Sequence, residues 1–200
     1  MGVFFVLGHN IWRVLPNEVY LLFGVGLVSL WLRNGGVTGA GLRRPGSWPW
    51  TLFAAIVAGI LIQLEDLVTD PIGRIFTHEP QRVSSILQHS HDLRKSLIAL
   101  GIVWTFAAFG EEIGYRGYLM TRFGEMAGGG RIGKGVSLVI VSLLFGFGHF
   151  YKGPAGVVES TASGLLLGTV YLVTGNLWAP ILAHGFADTI AVVAVYFGWT

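Results

Sequence analysis

The segment from residue 96 to residue 119 decides the fold, and it reads SLIALGIVWTFAAFGEEIGYRGYL. Its length and apolar character predict a membrane-spanning helix, yet Glu111 and Glu112 stand side by side within it. A carboxylate at membrane depth costs about 3 kcal/mol or more. Arg116 follows Glu112 by four residues, about one helical turn. The sequence therefore predicts a polar cluster inside a membrane helix.

The composition of the whole chain is that of a membrane protein. Of its 200 residues 52% are hydrophobic and 12% are charged, and the mean hydropathy is +0.64, whereas a soluble domain is roughly 25% charged. We expect a single membrane domain over residues 1–200, folded as an all-α polytopic transmembrane helical bundle of about six spans. The spans are predicted at residues 19–32, 50–68, 96–119, 136–150, 155–173 and 177–199.

The segments between the spans carry most of the charge. We expect loops at residues 34–48 and 120–135, and a longer polar loop at 69–95 with a short amphipathic helix near 83–87. The run from Val3 to Leu7 is too short to cross a bilayer and is expected at its surface. Counting basic residues favours a cytoplasmic position for loops 33–48 and 120–135. The chain is thus predicted to be a multi-pass protein of the cell membrane.

Several classes of function are disfavoured by composition. The formal net charge is only +2, and no basic patch interleaved with aromatic residues occurs, so we expect no nucleic-acid partner. The chain has no cysteine, which excludes disulfides, thiolate zinc sites and a cysteine nucleophile. The first residues lack the basic region and cleavage site of a removable signal peptide.

Polar side chains within the predicted spans are few, and they recur on three of them. Besides the glutamates and Arg116, the fourth span ends near His149, and the sixth contains His184 and Asp188. Two pairs, Glu112 with Arg116 and His184 with Asp188, are spaced four residues apart, which places each pair on one helical face. We expect Glu112 to pair with Arg116, leaving Glu111 to face a cavity.

Each of these features also has a structural interpretation. An ion pair between Glu112 and Arg116 can serve folding alone, and His149 can be a packed histidine on a glycine- and phenylalanine-rich face. Glu159, near the start of the fifth span, is favoured there by the helix dipole. Glycines such as Gly146 and Gly164 allow helices to approach closely. The recurrence of acid, base and histidine on three spans nevertheless favours one shared site between spans three, four and six.

Several chemistries suit such a site. A carboxylate can take a proton from water with help from a histidine, and a second histidine can stabilise an oxyanion. Two histidines and a carboxylate can also hold zinc, although no His-Glu-x-x-His pattern occurs. A nucleophilic serine is disfavoured, because no Gly-x-Ser-x-Gly occurs. A proton-coupled transporter could use the same carboxylates, but no inverted repeat is visible.

Three short motifs resemble one known family. Residues 111–116 (EEIGYR), 145–149 (FGFGH) and 184–188 (HGFAD) are similar to the EExxxR, FxxxH and HxxxN or HxxxD motifs of CAAX prenyl protease 2. The wider group is the CAAX protease and bacteriocin-processing family, also called the Abi family. Residues 42–45, 168–171 and 174–181 are similar as well, and the motif-bearing core covers about residues 96–190.

The resemblance implies an intramembrane endopeptidase with assigned residue roles. Glu111 would be the base that activates water, with His149 as its partner. His184 and Asp188 would form the side of the site that stabilises the oxyanion, and Glu112 and Arg116 would organise it. Eukaryotic members carry Asn where this chain has Asp188, and an ionised Asp cannot donate a hydrogen bond. Either Asp188 is protonated, or it orients a donating His184.

The resemblance also implies the partners of the protein. The substrate would be a membrane-associated or lipidated peptide or protein in the lipid bilayer, and no cofactor is expected, with zinc as the alternative. The short chain has a prokaryotic character, and a prokaryote generally lacks protein prenylation, so a true CAAX substrate is not expected. The alternative function is that of a non-catalytic membrane scaffold or bacteriocin-immunity protein with the same fold.

Overall fold

The regular elements of the protein are helices throughout the part of the chain that the structure describes. The computed structural model describes residues 1–34, 38, 39, 41–77 and 91–199. In chain order the elements are α1 (Gly2–Asn10), α2 (Glu18–Asn34), α3 (Trp48–Thr77), α4 (Leu93–Ile102), a π-helix (Val103–Met120), α5 (Thr121–Met126), α6 (Gly130–Gly148), a 3₁₀ turn (Phe150–Lys152), α7 (Gly153–Thr174) and α8 (Trp178–Phe197). The all-α helical bundle predicted from the sequence is confirmed.

The predicted spans correspond to these helices. Five helical segments of the described chain are long and apolar enough to cross a membrane: Trp48–Thr69, Leu93–Met126, Gly130–Gly148, Phe150–Thr174 and Trp178–Phe197. Helix α2 covers the first predicted span but has only 17 residues, which gives a length of about 26 Å. A hydrocarbon core is about 30 Å thick. The protein is thus a polytopic bundle, and a sixth crossing by α2 stays a prediction.

Two helices extend beyond the predicted limits of their spans. Helix α3 continues through Pro71 to Thr77, although we expected a loop from Thr69 onward. Helix α6 begins at Gly130, six residues before the predicted start at Val136. The polar residues at these points end the apolar run that crosses the membrane, but they do not interrupt the backbone hydrogen bonds of a helix. The short helix predicted near residues 83–87 lies outside the described residues.

The helix that carries the two glutamates is not a regular α-helix. The chain passes without interruption from α4 into a π-helix of 18 residues and then into α5. In a π-helix each N–H bonds to the carbonyl five residues back, so the turn is wider than in an α-helix, and such turns are frequent at functional sites. The even 100° spacing of side chains that the sequence suggested therefore does not apply around Glu111 and Glu112.

Glycines bring α6 and α7 close together beside the glutamates. A methyl group at Gly164 would lie 3.0 Å from Ser142 Cα, and one at Gly146 would lie 2.7 Å from the Val157 carbonyl oxygen. Both glycines therefore serve close helix packing, as the sequence predicted. The backbone of α7 consequently lies within reach of polar side chains on its neighbours.

A tryptophan fixes α8 against the π-helix. Trp104 Nε1 donates a hydrogen bond to Thr189 Oγ1 at 3.1 Å. The ring of Trp104 also covers Gly185, where a methyl group would lie 2.5 Å from a ring carbon. Because Gly185 follows His184 directly, this contact sets the height and rotation at which α8 presents His184 to the π-helix.

We expect Gly146→Ala to lower the stability of the protein while Gly135→Ala does not. The added methyl at Gly146 meets the backbone of α7, and overpacking of this kind costs about 1–3 kcal/mol. Gly135 lies on the same helix with open space around it, so alanine there raises helix propensity by up to about 1 kcal/mol. Thermal unfolding of the two variants in one detergent measures the difference. Equal melting temperatures would contradict the importance of the α6–α7 contact.

Candidate active site

The centre of the polar cluster is the side chain of Glu112, which is completely buried. Arg116 Nη1 donates to Glu112 Oε1 at 2.8 Å, and His184 Nδ1 lies 2.9 Å from the same oxygen. Since an ionised carboxylate only accepts hydrogen bonds, both neighbours donate to it. The predicted pair of Glu112 and Arg116 is thus confirmed, and His184 joins it from a different helix.

Arg116 connects the π-helix to the two helices beside it. Its side chain is 1% exposed. Its Nη2 donates to the carbonyl oxygen of Gly164 in α7 at 3.3 Å, and its guanidinium lies 4.3 Å from the centre of the Phe145 ring in α6. Stacking on an aromatic face suits a guanidinium that is removed from water. The close approach of α7 at Gly164 is what brings that carbonyl within reach.

Glu111 has a different environment from its neighbour. Its Oε2 atom is buried and has no hydrogen-bond partner within the described chain. The charges that act on its carboxyl group come from His184, Asp188, Glu18 and Glu112. Glu111 therefore lies among the polar side chains of the cluster but outside the ion pair with Arg116. A buried polar atom without a partner calls for an explanation, and a catalytic role is one.

His149 lies just beyond the last residue of α6. Its Nδ1 is 2.9 Å from the Phe145 carbonyl oxygen. Because a carbonyl only accepts, Nδ1 carries the proton, and Nε2 is the nitrogen left for another partner. The Phe145 ring lies 4.7 Å from the ring of His149 and 6.0 Å from that of His184, measured between centroids. One aromatic side chain thus separates the two histidines and contacts both.

Asp188 lies on the side of His184 that is turned away from Glu112. Its Oδ2 is 3.6 Å from His184 Nε2, and its side chain is 35% exposed. Asp188 and His184 lie on one helical face, as their spacing predicts, but His184 makes its shorter contact with Glu112. The imidazole is held between two carboxylates, one buried and one partly open. The structure thereby brings the motif residues of the π-helix and α8 into contact, with His149 beside them.

Glu18 also belongs to this environment, although no sequence pattern predicted it. It is the first residue of α2 and is 4% exposed. It lies 3.7 Å from His9 Nε2 and interacts electrostatically with Glu111. A methyl group at Gly148 would lie 3.2 Å from Glu18 Oε1, so that glycine lets the carboxylate approach the end of α6. An acid at a helix start is ordinary in a sequence, and only the fold shows this one facing inward.

The alternative of a zinc site is not matched by the side-chain arrangement. Among the described residues, no three His, Asp or Glu side chains are placed to hold one metal ion together. Glu112 is already engaged by Arg116 and His184, and His149 Nδ1 by a carbonyl. Removal of metal ions with EDTA tests whether a metal is needed.

The segment that carries these residues matches one known family. The family model for type II CAAX prenyl endopeptidase, Rce1-like, matches residues 93–190, which contain all three motifs. That family is one of multi-pass membrane proteases of the CAAX type. The resemblance drawn from the motifs is thus confirmed for residues 93–190. No curated protein and no solved structure gave a match.

We expect Arg116→Met to destabilise the protein strongly and the double variant Glu112→Gln/Arg116→Met to recover part of the loss. Removing one member of a buried pair leaves an uncompensated charge and costs about 3–5 kcal/mol. Replacing both members removes that charge. Unfolding in detergent measures the two variants against Glu125→Gln, which changes a half-exposed carboxylate paired with Arg122 and should cost about 1 kcal/mol or less. Equal losses in the single and double variants would show that Glu112 is not a buried charge.

Proposed function

We propose that the protein is an intramembrane endopeptidase that hydrolyses a peptide bond in a membrane-associated or lipidated peptide. The family assignment supports this class of reaction. The observation that carries the proposal is the contrast between the two adjacent glutamates. Glu112 is bound by Arg116 and His184, whereas Glu111 has a buried oxygen without a hydrogen-bond partner in the described part of the chain. That oxygen is available to accept a proton from water.

In the proposed reaction Glu111 is the base and His149 its partner. A water molecule bound between Glu111 and His149 Nε2 gives its proton to Glu111, and its oxygen attacks the carbonyl carbon of the peptide. The proton on Glu111 then passes to the amide nitrogen as the carbon–nitrogen bond breaks. The products are a carboxylic acid and an amine, so the atoms of water are divided between them. The Nδ1 bond to Phe145 fixes the His149 ring for this task.

His184 is proposed to stabilise the oxyanion that forms during the attack. In its imidazolium form both ring nitrogens donate, Nδ1 to Glu112 and Nε2 toward the reacting oxygen. The contact from Nε2 to Asp188 is 3.6 Å, longer than a hydrogen bond, so a substrate oxygen can take its place. Arg116 has no direct role in this scheme. It holds Glu112, which in turn orients His184.

The alternative is a non-catalytic membrane scaffold or immunity protein with the same fold. In that case the network around Glu112 would serve folding alone, and Glu111 would be dispensable. With either function the protein would reside in a membrane, and we propose that this is the cell membrane. The two functions differ in what happens when Glu111 loses its ability to take up a proton.

We expect Glu111→Gln to abolish cleavage of a lipidated-peptide library by the purified protein, with a rate at least about 100-fold lower. The melting temperature should stay close to that of the wild type, because Glu111 lies outside the ion pair. The matched control is Glu125→Gln, which makes the same change at an exposed glutamate, and this variant should cleave the library at the wild-type rate.

A parallel reaction with EDTA tests the metal alternative in the same assay. Cleavage that survives EDTA and depends on Glu111 supports the glutamate mechanism. Loss of cleavage in EDTA would instead indicate a bound metal, and full activity of Glu111→Gln would contradict the proposed base.

We expect Asp188→Asn to keep cleavage within about tenfold of the wild-type rate, whereas Asp188→Leu should lower it by about 100-fold. Asn can still accept from His184 and can donate to an oxyanion, while Leu can do neither. Initial rates over a range of substrate concentrations separate an effect on kcat from one on KM. If Asp188→Asn lowered the cleavage rate as much as Asp188→Leu, the negative charge of Asp188 would be required for cleavage.

A further inference from the structure

A cavity of about 510 Å³ lies beside the proposed active site. This volume falls within the range of about 300–1,000 Å³ that is typical of ligand-binding pockets. One side of the cavity is built by the end of α1 and the segment after it, and the other by the turn between α6 and α7. The lining residues are His9, Asn10, Arg13, Leu15, Phe150, Tyr151, Gly153 and Pro154.

The cavity adjoins the proposed active site through two of its walls. Tyr151 lies two residues after His149, and the centroids of their rings are 5.8 Å apart. His9 lies 3.7 Å from Glu18, whose carboxylate interacts electrostatically with Glu111. The residues that line the cavity are therefore continuous with those around Glu111 and His149.

The chemistry of the lining is asymmetric. Leu15, Phe150, Tyr151 and Pro154 give apolar and aromatic walls, and Arg13 contributes the one side chain there that is always charged. Arg13 is exposed and makes no ion pair within the described residues. The nearby Glu18 does not line the cavity and lies against His9. The guanidinium is thus available to an anion from outside the chain.

The backbone holds Arg13 in an uncommon conformation. Its φ is +54°, in the left-handed region that non-glycine residues rarely adopt. The turn around it is fixed by hydrogen bonds from Trp12 N to Leu7 O and from Val14 N to Gly8 O, each 2.9 Å long. Unfavourable backbone conformations persist where surrounding contacts enforce them, and they are frequent at ligand sites. The turn therefore presents Arg13 at the cavity in a defined position.

We propose that this cavity is a specificity subsite that binds a carboxylate-bearing segment of the peptide substrate. Arg13 pairs with the carboxylate, and the aromatic walls contact the apolar side chain next to it. The inference rests on the proposed peptidase function. It adds that the part of the substrate that enters the cavity carries a carboxylate. The carboxylate is either the C-terminus of the peptide or an acidic side chain.

The test measures binding in a protein that cannot cleave. The probe is an N-acylated, fluorescein-labelled decapeptide ending in three apolar residues, and its affinity for the Glu111→Gln protein is read by fluorescence anisotropy. One form has a free C-terminal carboxylate, a second has a C-terminal amide, and a third combines the amide with an acidic penultimate residue. We expect the free-acid form to bind at least ten times more tightly than the amide form. Tight binding of the third form would show that an acidic side chain also fits.

The variant Arg13→Asn assigns the preference to the guanidinium. Asparagine tolerates a positive φ, so the protein should fold with an unchanged or higher melting temperature while the preference for the free acid is lost. Arg131→Asn is the control, because Arg131 is exposed at the start of α6 and does not line the cavity, and it should keep the preference.

The inference is overturned if the free-acid and amide forms bind equally, if neither binds, or if Arg13→Asn keeps the preference. Cleavage by the wild-type protein is measured separately on the same peptides. A preference that depends on Arg13 without any cleavage would leave the subsite standing and reject the peptidase function. Cleavage by a protein that shows no preference for the free-acid form would support the peptidase function and reject the subsite.

Discussion

The arrangement of the helices around the site depends on one buried carboxylate oxygen. Glu112 Oε1 accepts hydrogen bonds from Arg116 and His184, which compensate a negative charge that would otherwise be costly within a membrane. Each donor brings a further helix with it. Arg116 contacts the Phe145 ring of α6 and the Gly164 carbonyl of α7, and His184 belongs to α8. Four helical segments therefore meet at a single ionic centre.

The consequence for the neighbouring glutamate is chemical. Arg116 and His184 both donate to Glu112, and Glu111 has a buried oxygen with no hydrogen-bond partner among the described residues. Two carboxylates that are adjacent in sequence thus have different surroundings, and the proposed reaction assigns proton transfer to Glu111 alone. The wide turn of the π-helix presents these two side chains to different surroundings. His149 lies beside them just beyond the end of α6, and Asp188 lies in the middle of α8.

The N-terminal part of the chain adds features that the matched family segment does not contain. The match begins at residue 93, yet Glu18 approaches the end of α6. Helix α1 and the segment after it supply half of the residues that line the cavity beside His149. The segment that matches the family is thus combined in this chain with contacts from helices that precede it.

The sequence by itself determined the helical membrane fold and the contacts within one helix. Apolar runs near 20 residues predict spans because the thickness of the bilayer fixes their length, and the Glu112–Arg116 pair is local, four residues apart. The three motifs were enough to identify the family. Only the tertiary structure decided which helices face each other and at what rotation. The contact from Glu112 to His184 joins residues 72 positions apart, and it forms because Trp104 packs on Gly185 and Gly164 packs on Ser142. Packing between helices also decides the inward position of Glu18. Spacing along a chain constrains the residues of one helix, whereas the approach of two helices is set by the side chains that pack between them.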